Sequence, residues 1–178
     1  MTTITLKAQN HWNPQPIQPN VSVDCQNLRD VLQFRFDVDE PEPCFRCACT
    51  HDGDACWQDS CVEVFLKSGD VYFNFECNAR GFCLAECGLS RTPRRAFSPR
   101  EYAQIPRTLL VPAHTLNHRV LWQLQIQIPK SLLSHDDIIL GNLYKCASNA
   151  KIPHYLCAFD VLTPTPDFHR PEFFQRIF

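Results

Sequence analysis

Between residues 56 and 81 the chain holds two strands and nearly every polar side chain that looks placed for a purpose. Trp57 offers a flat apolar face, and Glu63, Asn74, Glu76, Asn78 and Arg80 offer carboxylates, amides and a guanidinium that can hydrogen-bond a ligand. Alternation along a strand puts Cys61, Glu63 and Phe65 on one face and Val62, Val64 and Leu66 on the other. In the next segment Tyr72, Asn74, Glu76 and Asn78 oppose Phe73, Phe75 and Cys77. A turn at 67–70 with Leu66 opposite Val71 sets Glu63 against Asn74 and Cys61 against Glu76, gathering one wet, polar face. That face is the candidate binding surface. The same two glutamates are what a glycoside hydrolase needs, although an open sheet face does not exclude water and no carboxylate is marked as a raised-pKa acid. The competing reading is structural: Trp57 caps the hairpin, and Arg35, Arg46 or Arg80 pairs with the glutamates.

The elements that must position these residues are short strands. Residues 31–38 alternate Leu32, Phe34, Phe36 and Val38 against Gln33, Arg35 and Asp37, and residues 120–128 alternate Trp122, Leu124, Ile126 and Ile128 against three glutamines. Further strands are expected at 4–8, 45–49, 82–86, 138–146 and 154–161, with a closing strand at 173–178. Residues 129–133 read as a single helical turn with Ser131 as its cap. Residues 88–112, with Arg91, Arg94, Arg95 and Arg100, read as a long solvated loop. Trp12 reads as a terminal anchor, and His169, Arg170 and Glu172 as a polar knot fixing the tail. Nine or so strands with little helical periodicity predict an all-β fold, an antiparallel two-sheet β-sandwich.

With 178 residues, 44% of them hydrophobic, the chain is expected to form one domain, 1–178, around a single core. A net charge of −2, with arginines set among prolines and serines, argues against nucleic acid as a partner. No apolar run suits a membrane span and the first residues do not read as a signal peptide, which points to a cytoplasmic protein unless a longer precursor was trimmed. Eleven cysteines without that signal are read as reduced, buried thiols. The pairs Cys44/Cys47 and Cys83/Cys87 have zinc-like spacing, but on a strand Cys44 and Cys47 point to opposite faces.

Five blocks carry a resemblance. They are Trp-x-Asp-Ser-x-Val-Glu-Val-Phe at 57–65, Tyr-x-Asn-Phe-Glu-x-Asn at 72–78, Gly-Asn-Leu-Tyr-Lys-Cys at 141–146, Pro-His-Tyr-Leu at 153–156, and Pro-Asp-Phe-His-Arg-Pro-Glu-Phe-Phe at 166–174. In this order they resemble the family 9 carbohydrate-binding modules of the DOMON-like group, in a stand-alone bacterial branch. The resemblance implies a β-sandwich that binds mono- or oligosaccharides without cleaving them, linked to xylan or cellulose catabolism. It implies that Trp57 stacks on a sugar and Glu63 hydrogen-bonds its hydroxyls. The family's second stacking tryptophan is absent, and Tyr144, near Asn142, is the nearest substitute. No cofactor is implied beyond a structural calcium, for which Asp52, Asp54 and Asp59 are the nearest carboxylates. Some DOMON-like domains bind haem through methionine and histidine; here Met1 is the only methionine, which excludes that ligation. A protein-interaction β-sandwich is the alternative from another class.

Overall fold

The structure, a computed structural model, describes residues 1–133 and 139–178. Its strands are β1 (Thr2–Thr5), β2 (Lys7–Ala8), β3 (Asn20–Asn27), β4 (Val31–Pro41), β5 (Cys61–Ser68), β6 (Val71–Asn78) and β7 (Cys83–Gly88). The chain continues with β8 (Arg95–Ala96), helix α1 (Pro99–Tyr102), β9 (Arg107–Leu116), β10 (Arg119–Pro129), β11 (Ile139–Cys146), β12 (Tyr155–Cys157) and β13 (Gln175–Arg176). One sheet has the order β1-β3-β4-β10-β9, the other β2-β12-β11-β5-β6-β7-β8, with β13 added to β11. The result is the expected antiparallel β-sandwich.

Period-two alternation accounts for the core. Leu32, Phe34, Phe36 and Val38 of β4 and Trp122, Leu124, Ile126 and Ile128 of β10 are buried in one cluster with Val62, Val64, Leu66 and Phe75 of the second sheet. Trp12 anchors the N-terminal segment as expected, its Nε1 donating to the Thr163 carbonyl at 2.6 Å.

The β5–β6 hairpin is tighter than its sequence suggests. Ser68 pairs with Val71 across Gly69 and Asp70, so Glu63 faces Glu76 and Cys61 faces Asn78. Gly69, at φ +59°, supplies the left-handed residue that a two-residue hairpin turn requires. The slip is two residues, so every side chain keeps its face. What changes is that face's environment: Glu63, Phe65, Tyr72, Asn74, Glu76 and Asn78 are all buried rather than wet. Phe65, Tyr72 and Tyr144 on this side pack with Phe168, Phe173 and Phe174, so the tail folds back over the sheet.

Other boundaries differ for identifiable reasons. Residues 45–49 are not a strand, because their amides turn toward Asp59. The turn Lys130–Leu132 is 3₁₀ and has no side-chain cap, so Ser131 does not serve as one. The expected strand at 138–146 appears as β11, Ile138 lying outside the described residues. The tail contributes only the two residues of β13, after a 3₁₀ turn at Pro171–Phe173. Three strands are additional: β3, which alternates buried Val21, Val23 and Cys25, the two-residue β8, and β9, an edge strand. Pro112 falls in a register shift of β9, where its missing N–H breaks no ladder bond.

The arginine-rich stretch is ordered by ion pairs. Arg91 pairs with Asp167 at 2.9 Å, Arg94 with Glu86 at 2.6 Å, and Arg95 with Glu101 at 2.8 Å. Arg100 remains exposed.

Candidate functional site

Trp57 sits on the 3₁₀ turn Cys56–Gln58 that leads into β5. Buried Asp59 anchors that turn, accepting from the Ala48 and Cys49 amides at 2.9 and 2.8 Å, from Asn78 Nδ2 at 3.1 Å and from the Arg46 guanidinium. A second tie comes from the loop after β11, where the Ser148 amide and hydroxyl donate to the Trp57 carbonyl at 3.2 and 3.1 Å. With its backbone fixed from both sides, the Trp57 side chain remains 43% exposed.

Beside that ring lies a cleft of about 370 Å³. Glu63, Glu76 and Cys146 line it from the sheet, and its other walls include Trp57, Ser148 and Tyr155, then Arg91 and Arg94, then Asp167, Phe168 and His169. Glu63 accepts from the Cys146 thiol at 2.9 Å, and Glu76 Oε1 from Asn74 Nδ2 at 2.9 Å. Glu76 Oε2 is buried without a hydrogen-bond partner among the described residues. Burial pushes both carboxyls well above the usual range, helped by the Cys146 thiol at Glu63 and by Glu63 at Glu76. Arg94 donates to the ring of His169, whose Nε2 lies 2.8 Å from Nη1. His169 is held down to about 3 by burial first, then by Arg94 and Arg91, and is therefore neutral at neutral pH.

Trp57, Glu63 and Glu76 thus meet in one cleft, with Asn74 supporting Glu76 from behind. The remaining sequence candidates do not line it. Asn78 is absorbed by the β6–β7 turn, accepting from the Arg80 and Phe82 amides at 3.0 and 3.1 Å, and Arg80 is exposed. Asn142 bonds the backbone of Phe159, donating to its carbonyl at 2.8 Å and accepting from its amide at 3.0 Å. Tyr144 is buried beneath Phe168, the rings stacked at 4.0 Å, so Phe168 rather than Tyr144 presents a second aromatic surface. Arg35, Arg46 and Arg80 form no ion pair with either glutamate among the described residues; Arg46 pairs with Asp59. His169 belongs to the cleft wall rather than to a knot with Arg170 and Glu172, which pair with each other on the surface. His154 is fully buried, its Nε2 2.8 Å from Lys145 Nζ.

The carboxylates nearest to a calcium set do not fit that ion. Asp59 is occupied by a guanidinium, two amides and an asparagine, Asp52 by Arg107 and the Cys83 amide, and Asp54 by the Thr50 and His51 amides. Each is engaged separately, leaving no shared cage of oxygens.

The neutral histidine gives the site a pH signature. A histidine whose folded value lies below its unfolded one contributes stability fully above about 6.5, lost as the pH falls toward 3. The raised Glu63 and Glu76 act in the opposite direction, so the comparison must be between variants. Parent protein is expected to lose stability relative to His169→Gln as the pH drops from 7 to 4. Parallel denaturation profiles over that range would remove the assigned burial of His169.

A family model described as carbohydrate-binding family 9 matches residues 2–178. Among solved structures, a candidate carbohydrate-binding protein from Bacteroides uniformis is 26% identical, with a TM-score of 0.85 over 98% of this chain and 84% of its own. A family 9 carbohydrate-binding module from Caldicellulosiruptor kristjanssonii, in complex with cellotriose, is 13% identical, with a TM-score of 0.58 over 96% of this chain and 80% of its own. At that identity the likeness is one of fold. No curated protein matches the chain.

Proposed function

The chain belongs to carbohydrate-binding family 9, a non-catalytic family, and we propose that its cleft binds the end of a short plant cell-wall oligosaccharide. The observation that carries this reading is the meeting of the exposed Trp57 ring with Glu63 and Glu76 in one cleft. Stacking accepts the C–H face of a sugar, and buried carboxyls reward hydroxyl partners because the alternative is an unpaired polar group. Phe168 takes the place of a second platform. Arg91 and Arg94 supply further donors at the cleft wall. The similar module from Caldicellulosiruptor kristjanssonii is in complex with cellotriose, which makes β-linked glucose and xylose oligomers the first ligands to test.

Hydrolysis does not fit the same pair. Glu63 and Glu76 face each other on adjacent strands and are pushed in the same direction, whereas acid–base catalysis needs environments that drive two carboxyls apart. The proposal includes a single domain over 1–178 and a reducing compartment, which the eleven free cysteines favour. Calorimetric titration with cellotriose, xylotriose and a broader sugar panel is the test. Dissociation constants between roughly a micromolar and a millimolar are expected. Heatless titrations across the panel would overturn the assignment and leave only the fold.

A further inference from the structure

Cys61 opens β5 and Cys146 ends β11, and the two are direct cross-strand partners. Glu63 lies two residues along β5 on the same face. The two sulfurs and a Glu63 carboxylate oxygen all lie within 4.8 Å of one another, and all three residues are buried. Glu63 is a buried acid that faces a thiol at 2.9 Å, and no cation pairs with it among the described residues. Burying a carboxylate without a counter-charge is costly, and a metal ion removes that cost.

We propose that Cys61, Glu63 and Cys146 form a three-ligand site for a thiophilic divalent cation, zinc above all, with its fourth position open to the cleft. Tetrahedral bonds of about 2.3 Å to sulfur and about 2.1 Å to oxygen place ligand atoms about 3.6–3.8 Å apart, so a pair spread to 4.8 Å must close by about 1 Å, while the Cys146 sulfur and Glu63 oxygen, now 2.9 Å apart, must open by about 0.7 Å. Side-chain rotation suffices for that. The donor set is soft enough to favour zinc over calcium or magnesium. Binding displaces the thiol proton that Cys146 now donates to Glu63, the Cys61 proton, and any proton that burial holds on the Glu63 carboxyl, all of which pass to solvent. Cys146 and Glu63 line the cleft, so the fourth ligand is a water or a ligand oxygen entering from it, the arrangement of an open zinc site. The sequence pairs Cys44/Cys47 and Cys83/Cys87 belong to no such group among the described residues.

Cobalt(II) is the probe, because thiolate ligation gives it a strong charge-transfer absorption. Full-length protein, reduced and then freed of reductant without oxygen, is expected to take up one equivalent. About two to three protons should be released per ion, two from the thiols and up to one from the Glu63 carboxyl. Zinc should displace the cobalt. C61S and C146S should each lose charge-transfer intensity and weaken binding by more than the roughly 10–100-fold that outer-shell partners cost. E63Q keeps both thiols and serves where a serine variant fails to fold; it should retain the band and bind more weakly. A parent protein without the band overturns the proposal. So does a band that survives in C61S and C146S, or one lost only in C44S or C47S.

Discussion

Asp59→Ala is expected to lower stability by about 3–5 kcal/mol and to weaken sugar binding as well. Its carboxylate is fully buried and receives the Arg46 guanidinium, two backbone amides and the Asn78 amide, so truncation removes the shared acceptor of four donors at once. For a chain of this length each kcal/mol moves the melting temperature by about 2–4 °C, so a fall on the order of 10 °C is expected. The effect reaches the cleft because Asp59 directly follows the turn that aims Trp57. Asp59→Asn keeps the shape and one acceptor oxygen, and should cost less on both counts. Unchanged melting and affinity in Asp59→Ala would show that the turn is held by its Ser148 contacts alone.

Lys145→Met has a comparable expected effect on stability, without a direct role in the cleft. Lys145 Nζ lies fully buried between the sheets, donating to Glu40 Oε2 at 3.0 Å, to the Cys146 carbonyl at 3.0 Å and to His154 Nε2 at 2.8 Å. His154 is held well below the usual histidine value by burial and then by Lys145, so it accepts as a neutral ring. Removing the ammonium leaves the buried Glu40 carboxylate, among the described residues, with hydrogen bonds from Trp122 Nε1 at 2.8 Å and the Ser60 hydroxyl at 3.1 Å and with the neutral His154 ring 3.9 Å away. Breaking such a pair costs about 3–5 kcal/mol. Adding Glu40→Gln should recover much of the loss, since a neutral amide still accepts from Trp122. Full additivity in the double mutant would mean that the two side chains do not act as a pair.

Which parts of this molecule are legible in its sequence follows from the range of the interactions. Strands β4 and β10 announce themselves because each alternates within itself, and the same rule assigns faces on β5 and β6 even when the register is misjudged by two residues. Strand β9 hides because an edge strand with Pro112 and largely exposed side chains has no buried period to display. Strand β3 carries the alternation of Val21, Val23 and Cys25, a local signal that was available. In the site, Trp57, Glu63 and Glu76 share one hairpin and its approach, so their meeting is a local matter. Arg94, Cys146, Phe168 and His169 come from distant segments: pairing of β11 with β5 brings Cys146, the β7–β8 connection brings Arg94, and the folded tail brings Phe168 and His169. The buried state of the polar face had a sequence signal, since Phe65, Tyr72 and Tyr144 lie among its polar residues and need a cover. What no local pattern encodes is which segment supplies that cover.

The central claim is that the Trp57 cleft binds sugar, and paired measurement of cellotriose affinity and melting temperature on the parent and Trp57→Ala tests it most directly. The ring is 43% exposed and its turn is held by backbone and Asp59 contacts, so its removal should leave melting within about 2 °C of the parent. Affinity should fall by about 1–3 kcal/mol, the range of an aromatic stacking contact and equivalent to roughly 5- to 150-fold. A variant that melts lower while binding cellotriose as well as the parent would contradict the account and make Trp57 a structural cap.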